Sequence, residues 1–241
     1  MSESAIEIAI ETTALTKRYA GLSVVRAVSI RLPQGSKTAL LGANGAGKTT
    51  LLGMLTTLIT PSEGEARIAG FRLADNHAAM RRRIGVLAHS PMLYEELTPL
   101  ENLAFFARLY GVEDREARCE ELLRLVGLWL RRHEPVAVLS RGYHQRLALA
   151  RAIVHRPDVL LLDEPETGLD GEAVALLDEL VLCAPGLTVL AATHRHDRIG
   201  EWAGGTVVLE RGAVVEDTAS RPVEPAATDE AATPEPAWSA T

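Results

Sequence analysis

The chain has 241 residues, 47% of them hydrophobic and 24% charged, with a formal net charge of −7. That composition is ordinary for a globular protein long enough to bury a sizeable core, and it lacks the basic signature of a nucleic-acid binder. No run of about 18 apolar residues is present, so the chain is not expected to span a membrane alone, and its start, MSESAIEIAIETT, has no basic-then-apolar secretory pattern.

Ile6, Ile8 and Ile10 alternate with polar residues, as in a half-buried strand, and Leu15 to Gly21 follows as a connecting stretch that carries Tyr19. Val28, Ile30 and Leu32 alternate again, and Pro33-Gln34-Gly35 turns the chain into a strand over Lys37–Leu41. The next residues, Gly42-Ala43-Asn44-Gly45-Ala46-Gly47-Lys48-Thr49-Thr50, match the phosphate-binding loop G-x-x-x-x-G-K-[ST], and Thr50 to Leu58 reads as an apolar helix. Gly42, Gly45 and Gly47 permit left-handed backbone and close approach to a phosphate. Consecutive N–H groups, Asn44 among them, then form an anion nest at a helix start. Lys48 is the point charge for β- and γ-phosphates, and the Thr49 hydroxyl, followed by Thr50, is a ligand for Mg²⁺.

Pro61 to Gly64 reads as a turn and Glu65 to Ile68 as a short strand. Ile84 to Ala88 is a buried strand that runs into His89. Residues from about 90 to 155 are expected to form a helical subdomain. Within it, Thr98 and Glu101 set up a capping box, Glu113 to Val126 is amphipathic and closes at Gly127, and Ser140-Arg141-Gly142 opens a helix reaching about His155. On residue chemistry alone Ser140 is an ordinary N-cap.

Val159 to Leu162 is a wholly apolar run ending in Asp163 and Glu164, as expected of a parallel strand buried on both faces. Its carboxyl end is where open α/β sheets bind ligands. Asp163 suits Mg²⁺, directly or through water, and Glu164 is placed to polarise an attacking water. Thr167-Gly168-Leu169-Asp170 precedes a helix through about Leu182, and the apolar run Leu187–Ala192 ends at Thr193-His194. His194 as a neutral imidazole can orient that water against a γ-phosphate. Gly205–Leu209 and Ala213–Glu216 form a closing hairpin, and residues 218–241, with one arginine, four acids and four prolines, are expected to be disordered. Cys119 and Cys183 have no metal-ligand spacing and read as reduced thiols in helices.

Phosphate loop, Leu-Ser-x-Gly at 139–142, apolar strand with Asp163-Glu164, Gly168-Leu169-Asp170 and the strand-end His194 occur in this order, and the set resembles the ATP-binding subunits of ABC transporters over about residues 5–217. The resemblance implies a P-loop α/β core with an antiparallel β subdomain and an α-helical subdomain, with ATP and Mg²⁺ as ligand and cofactor. It further implies a head-to-tail dimer in which each ATP lies between Lys48 of one cassette and Ser140, Arg141 and Gly142 of the other. In that scheme Tyr19 stacks on adenine and His89 and Asp170 couple the sites. Integral membrane subunits are the implied partners, at the cytoplasmic face of the membrane. Most relatives have Gln in place of His89 and Gly in place of Arg141. These departures, with Leu93–Thr98, Glu101–Leu103 and Gln145–Leu147, are similar to the haem-exporter ATPases of cytochrome c maturation, which would add haem-pathway partners. An exporter ATPase for drugs or polysaccharides is the alternative. Soluble ABC proteins acting on ribosomes or DNA usually carry two cassettes or a long coiled coil, absent here, and Glu164 with His194 argues against a binding module without turnover.

Overall fold

A computed structural model of the chain describes residues 7–220 apart from 76, 170 and 183, and without the side chains of 77, 180, 181 and 196. The strands are β1 (Ile8–Tyr19), β2 (Leu22–Val28), β3 (Arg31–Pro33), β4 (Lys37–Leu41), β5 (Glu63–Ile68), β6 (Phe71–Arg72), β7 (Ile84–Leu87), β8 (Val159–Asp163), β9 (Thr188–Ala192), β10 (Gly205–Glu210) and β11 (Ala213–Asp217). The helices are α1 (Lys48–Leu55), α2 (His77–Arg81), α3 (Pro99–Tyr110), α4 (Arg115–Leu125), α5 (Arg141–Ile153), α6 (Gly171–Leu177) and α7 (Ile199–Trp202).

Two sheets organise these elements. An antiparallel sheet runs β2-β1-β5-β6, with β3 also pairing β1. A six-stranded sheet runs β11-β10-β4-β9-β8-β7, parallel from β10 to β7 and antiparallel only at β11. The apolar runs are buried on both faces, as parallel strands require. In β8, Leu160 and Leu162 pack into one core with α3, α4 and α5, while Val159 and Leu161 pack into a second core with α1 and the antiparallel sheet. β9 divides in the same way, Val189 and Ala191 against Leu190 and Ala192. The period-2 geometry of a strand is what assigns neighbours to opposite cores.

Helices α3, α4 and α5 occupy the block expected to be helical. The capping box forms: the Thr98 hydroxyl accepts from Glu101 N–H and the Glu101 carboxylate accepts from Thr98 N–H. Cys119 is buried in α4, and burial pushes its thiol up to about 11; Cys183 lies outside the described residues.

Several elements depart from the sequence reading. The alternation of Val28, Ile30 and Leu32 is not one strand: β2 ends at Val28 and β3 begins at Arg31. Tyr19 ends β1 rather than sitting in a loop, because Ala20 (φ 47) and Gly21 (φ 83) make a two-residue hairpin turn to Leu22. Glu63 and Gly64 belong to β5 rather than to a turn. Gly64 (φ 82) sits at a shift in the pairing of β5 with β1, and a Cβ there would lie 2.3 Å from the Ala14 carbonyl oxygen. The helix after Asp170 changes at Asp178 into a π-helical segment, Asp178–Leu182. Finally, Thr218 to Ser220 join the fold: Thr218 N–H donates to Thr206 O, Ser220 Oγ accepts from Arg31 N–H, and Ala219 is buried. The expected tail is thereby shortened, and 221–241 lies outside the described residues.

One buried group sets a pH response. His155, just past α5, stacks on Tyr110 at 3.9 Å and its Nε2–H donates to Ile84 O at 3.0 Å. Nδ1 is buried without a hydrogen bond, so the ring is held neutral, and burial pushes its pKa down from 6.5 to about 4. The unfolded chain binds this proton first as pH falls, so the contribution is full above about 6.5 and is lost down to about 4. Urea unfolding of the wild type between about pH 7 and pH 5 is expected to lose up to ~2 kcal/mol through this group, and His155→Gln is expected to lose correspondingly less.

Candidate active site at the carboxyl edge of the parallel sheet

The strand order places three loops side by side. β9 lies between β4 and β8, with Leu40 opposite Ala192 on one side and Asp163 opposite Ala192 on the other. The loop after β4 is therefore flanked by Thr193-His194 after β9, and these in turn by Asp163-Glu164 at the end of β8. Two main-chain bonds past the regular pairing hold the edge: Glu164 N–H donates to Ala192 O at 2.9 Å, and Thr193 N–H donates to Leu40 O at 3.3 Å.

The loop from Gly42 to Gly47 has the conformation its glycines were read to provide. Gly42 (φ 145), Gly45 (φ 80) and Gly47 (φ 105) all lie in the region that disfavours side chains. A Cβ on Gly42 would lie 2.4 Å from Leu209 O, and one on Gly47 2.8 Å from Val24 O. Lys48 opens α1 and is buried, its Nζ donating to Gly42 O at 2.6 Å and Ala43 O at 3.2 Å. The ammonium is thus curled over the loop.

A cleft of about 530 Å³ opens over this loop, lined by Val24, Asn44 to Thr50, His89, Asp163 and Glu164. Asp163 is buried, and burial raises its carboxyl above the usual range against the opposing pull of the Thr49 hydroxyl, which donates to it, and of His89 and Lys48. Glu164 adopts φ 51, rare for a non-glycine residue. Its Oε2 accepts from the Thr167 hydroxyl at 3.3 Å, and its Oε1 lies 3.5 Å from His194 Nδ1. Chemically, the cleft joins an anion nest, a buried cation and an oxygen pair fit for a hard cation, and its Glu164 makes a carboxylate–imidazole pair with His194, which is itself outside the lining.

Other expected site residues lie elsewhere. Tyr19, 46% exposed and 5.0 Å below the Lys17 ammonium, is outside the cleft lining, whose nearest member in sequence is Val24. Ser140 caps α5, its hydroxyl accepting from Tyr143 N–H, and Ser140 and Gly142 are likewise outside the cleft. Arg141 packs over Gly168, where a Cβ would lie 3.1 Å from its Nε. With His144, Gln145 and Glu164 it bounds a small cavity of about 80 Å³. Asp170 lies outside the described residues. Sequence reasoning missed Glu166, Asp178 and Arg198, which form an ion cluster between the segments that follow Glu164 and His194. The one signal was a third acid after Asp163-Glu164-Pro165 and two arginines after His194.

The model of the ABC transporter family matches residues 25–167. The chain is 36% identical to the ABC transporter ATP-binding protein NatA of Bacillus subtilis (strain 168), over 80% of this chain and 81% of that one. It is 35% identical to the bacitracin transport ATP-binding protein BcrA of Bacillus licheniformis, over 86% of this chain and 69% of that one. Among solved structures it superposes on a dimeric, post-hydrolysis state of the ATP-binding cassette MJ0796 bound to ADP and Pi, with TM-score 0.76, 26% identity and coverage of 89% and 100%. The P-loop fold, the order of its motifs and these likenesses agree: the chain belongs to the ABC transporter family, as an ATP-binding subunit.

Proposed function

We propose that the chain hydrolyses ATP in the cleft above residues 42–50 and that this turnover drives an exporter. The observation that carries the proposal is the convergence, at one sheet edge, of Lys48, the Thr49–Asp163 pair and the Glu164–His194 pair. Lys48 holds the β- and γ-phosphates, the N–H groups of Asn44 to Thr50 cradle them, and Glu164 accepts a proton from the attacking water while His194 orients it. Thr49 and Asp163 offer oxygen donors only, the ligand type Mg²⁺ takes while keeping several waters; among the described residues no cluster of three or more His, Cys, Asp or Glu competes as a metal site. Thr49 and Asp163 would hold the ion, which when bound would supply positive charge to offset the charge that develops on the phosphates.

Ser140, Arg141 and Gly142 lie outside the cleft of their own chain, so in this proposal they reach ATP from a second copy. The dimeric state of MJ0796 supports that arrangement. Tyr19 would meet the adenine at the mouth of the cleft, and His89, beside Asp163, would couple the cleft to the helical block. No helix of the described residues is long and apolar enough to cross a membrane. Integral membrane partners on separate chains and a peripheral place at the cytoplasmic face are what membership of the ABC transporter family supports. Relatives named for bacitracin transport, daunorubicin/doxorubicin resistance and Nod factor export favour an exporter of drugs or saccharides. The haem-maturation reading rests on His89 and Arg141.

Three outcomes test this. Lys48→Ala is expected to weaken ATP binding and abolish phosphate release by the purified transporter. Glu164→Gln keeps the geometry but loses the base, so turnover should fall by about 10²-fold or more, with an ATP-bound dimer accumulating on size exclusion; monomer at all ATP concentrations would refute the dimer. Deleting the gene is expected to raise sensitivity to exported toxic compounds and to leave haem-stained c-type cytochrome bands intact on denaturing gels. Lost bands would establish the haem reading instead.

A further inference from the structure

We propose that Glu166 and Arg198 are positioning residues: their buried ion pair ties the loop of Glu164 to the loop of His194 and so fixes the approach of the imidazole to the carboxylate. The inference rests on the reading of Glu164 and His194 as hydrolytic residues.

The two loops leave the sheet after Asp163 and Ala192, beyond which one main-chain bond, Glu164 N–H to Ala192 O, joins them. Glu166 stands two residues after Glu164, and Arg198 four after His194. Their side chains are 8% and 13% exposed, and Arg198 Nη1 donates to Glu166 Oε1 at 2.8 Å. The other edges of the same guanidinium are also occupied: Nη2 donates to Asp178 Oδ2, and Nε donates to Glu201 Oε2 at 3.1 Å. A planar fork engaged on every edge has one orientation. Asp178 begins the π-helical segment, which anchors the cluster to the end of α6. Arg195, one residue after His194, adds its Nε at 3.7 Å from Glu166 Oε2.

The pair is a poor source of stability. Glu166 Oε2 and Asp178 Oδ1 are buried without a hydrogen bond, and burying charge costs about what the attraction returns. Geometry is the better account. The His194 side chain is 60% exposed, so packing does not hold it at 3.5 Å from Glu164, and Glu164 itself sits at φ 51, a conformation that persists only where its surroundings enforce it.

The test measures ATP turnover by the full chain carrying Glu166→Gln, with Arg198→Lys, which keeps the charge and loses the fork, as the second variant should the first fail to fold. A positioning role predicts kcat lowered about tenfold with KM within about twofold of wild type and a near-wild-type thermal midpoint. The ring Cε1–H resonance of His194, assigned by its loss in His194→Ala, should move while that of His155 stays in place. Unchanged kcat, a change in KM alone, or a His194 resonance that does not move would overturn the proposal. Full turnover in His194→Ala would instead overturn the reading of the site on which it rests.

Discussion

Everything at the site depends on the parallel register around Ala192. Because β9 is paired on both sides, Leu40 and Asp163 are set opposite the same residue, and residues more than 120 positions apart in sequence reach one edge. Burial on both faces makes this register hard to slip: a shift of one residue in β9 would exchange Val189 and Ala191 with Leu190 and Ala192 between two cores already packed. The chemistry therefore borrows its precision from apolar packing, and the polar residues at the strand ends inherit positions they do not set themselves.

Charge at that edge is balanced in layers. Lys48 is buried, and its ammonium donates to two main-chain carbonyls of the loop. Asp163, raised by burial, is drawn back by the Thr49 hydroxyl and by His89 and Lys48. Arg198 gathers three further carboxylates, those of Glu166, Asp178 and Glu201, none of which lines the cleft. The charges that line the cleft are thus separate from those committed to one another around Arg198.

Local signals carried the sequence reading far. The loop glycines, the capping box at Thr98 and the unbroken apolar run of β8 each act over a few residues, and each is found as read. The misses are of two kinds. Gly64 and Ala20-Gly21 carry turn chemistry, yet one is a bulge inside a strand and the other a two-residue hairpin tip; composition gives the backbone angle but not the partner strand that uses it. Glu166 and Arg198 fail for another reason: 32 positions separate them, and only the tertiary pairing of β8 with β9 makes an acid and an arginine neighbours. The apolar periodicity that reveals strands is silent on which polar residues meet behind their ends.

Arg141 illustrates why a departure from a family pattern need not report on cargo. In the structure its stem lies across Gly168, and the space for it exists because that glycine has no Cβ: one there would sit 3.1 to 3.5 Å from Nε, Cδ and Cγ. Gly168 also adopts φ 80, which a larger residue would take only with strain. The arginine is thereby accommodated inside its own chain, between the start of α5 and the loop leading to residue 170, and its bulk is explained by local packing. His89 is likewise explained locally, beside Asp163 in the cleft lining. With both residues accounted for by neighbours in the same cassette, neither demands a haem pathway.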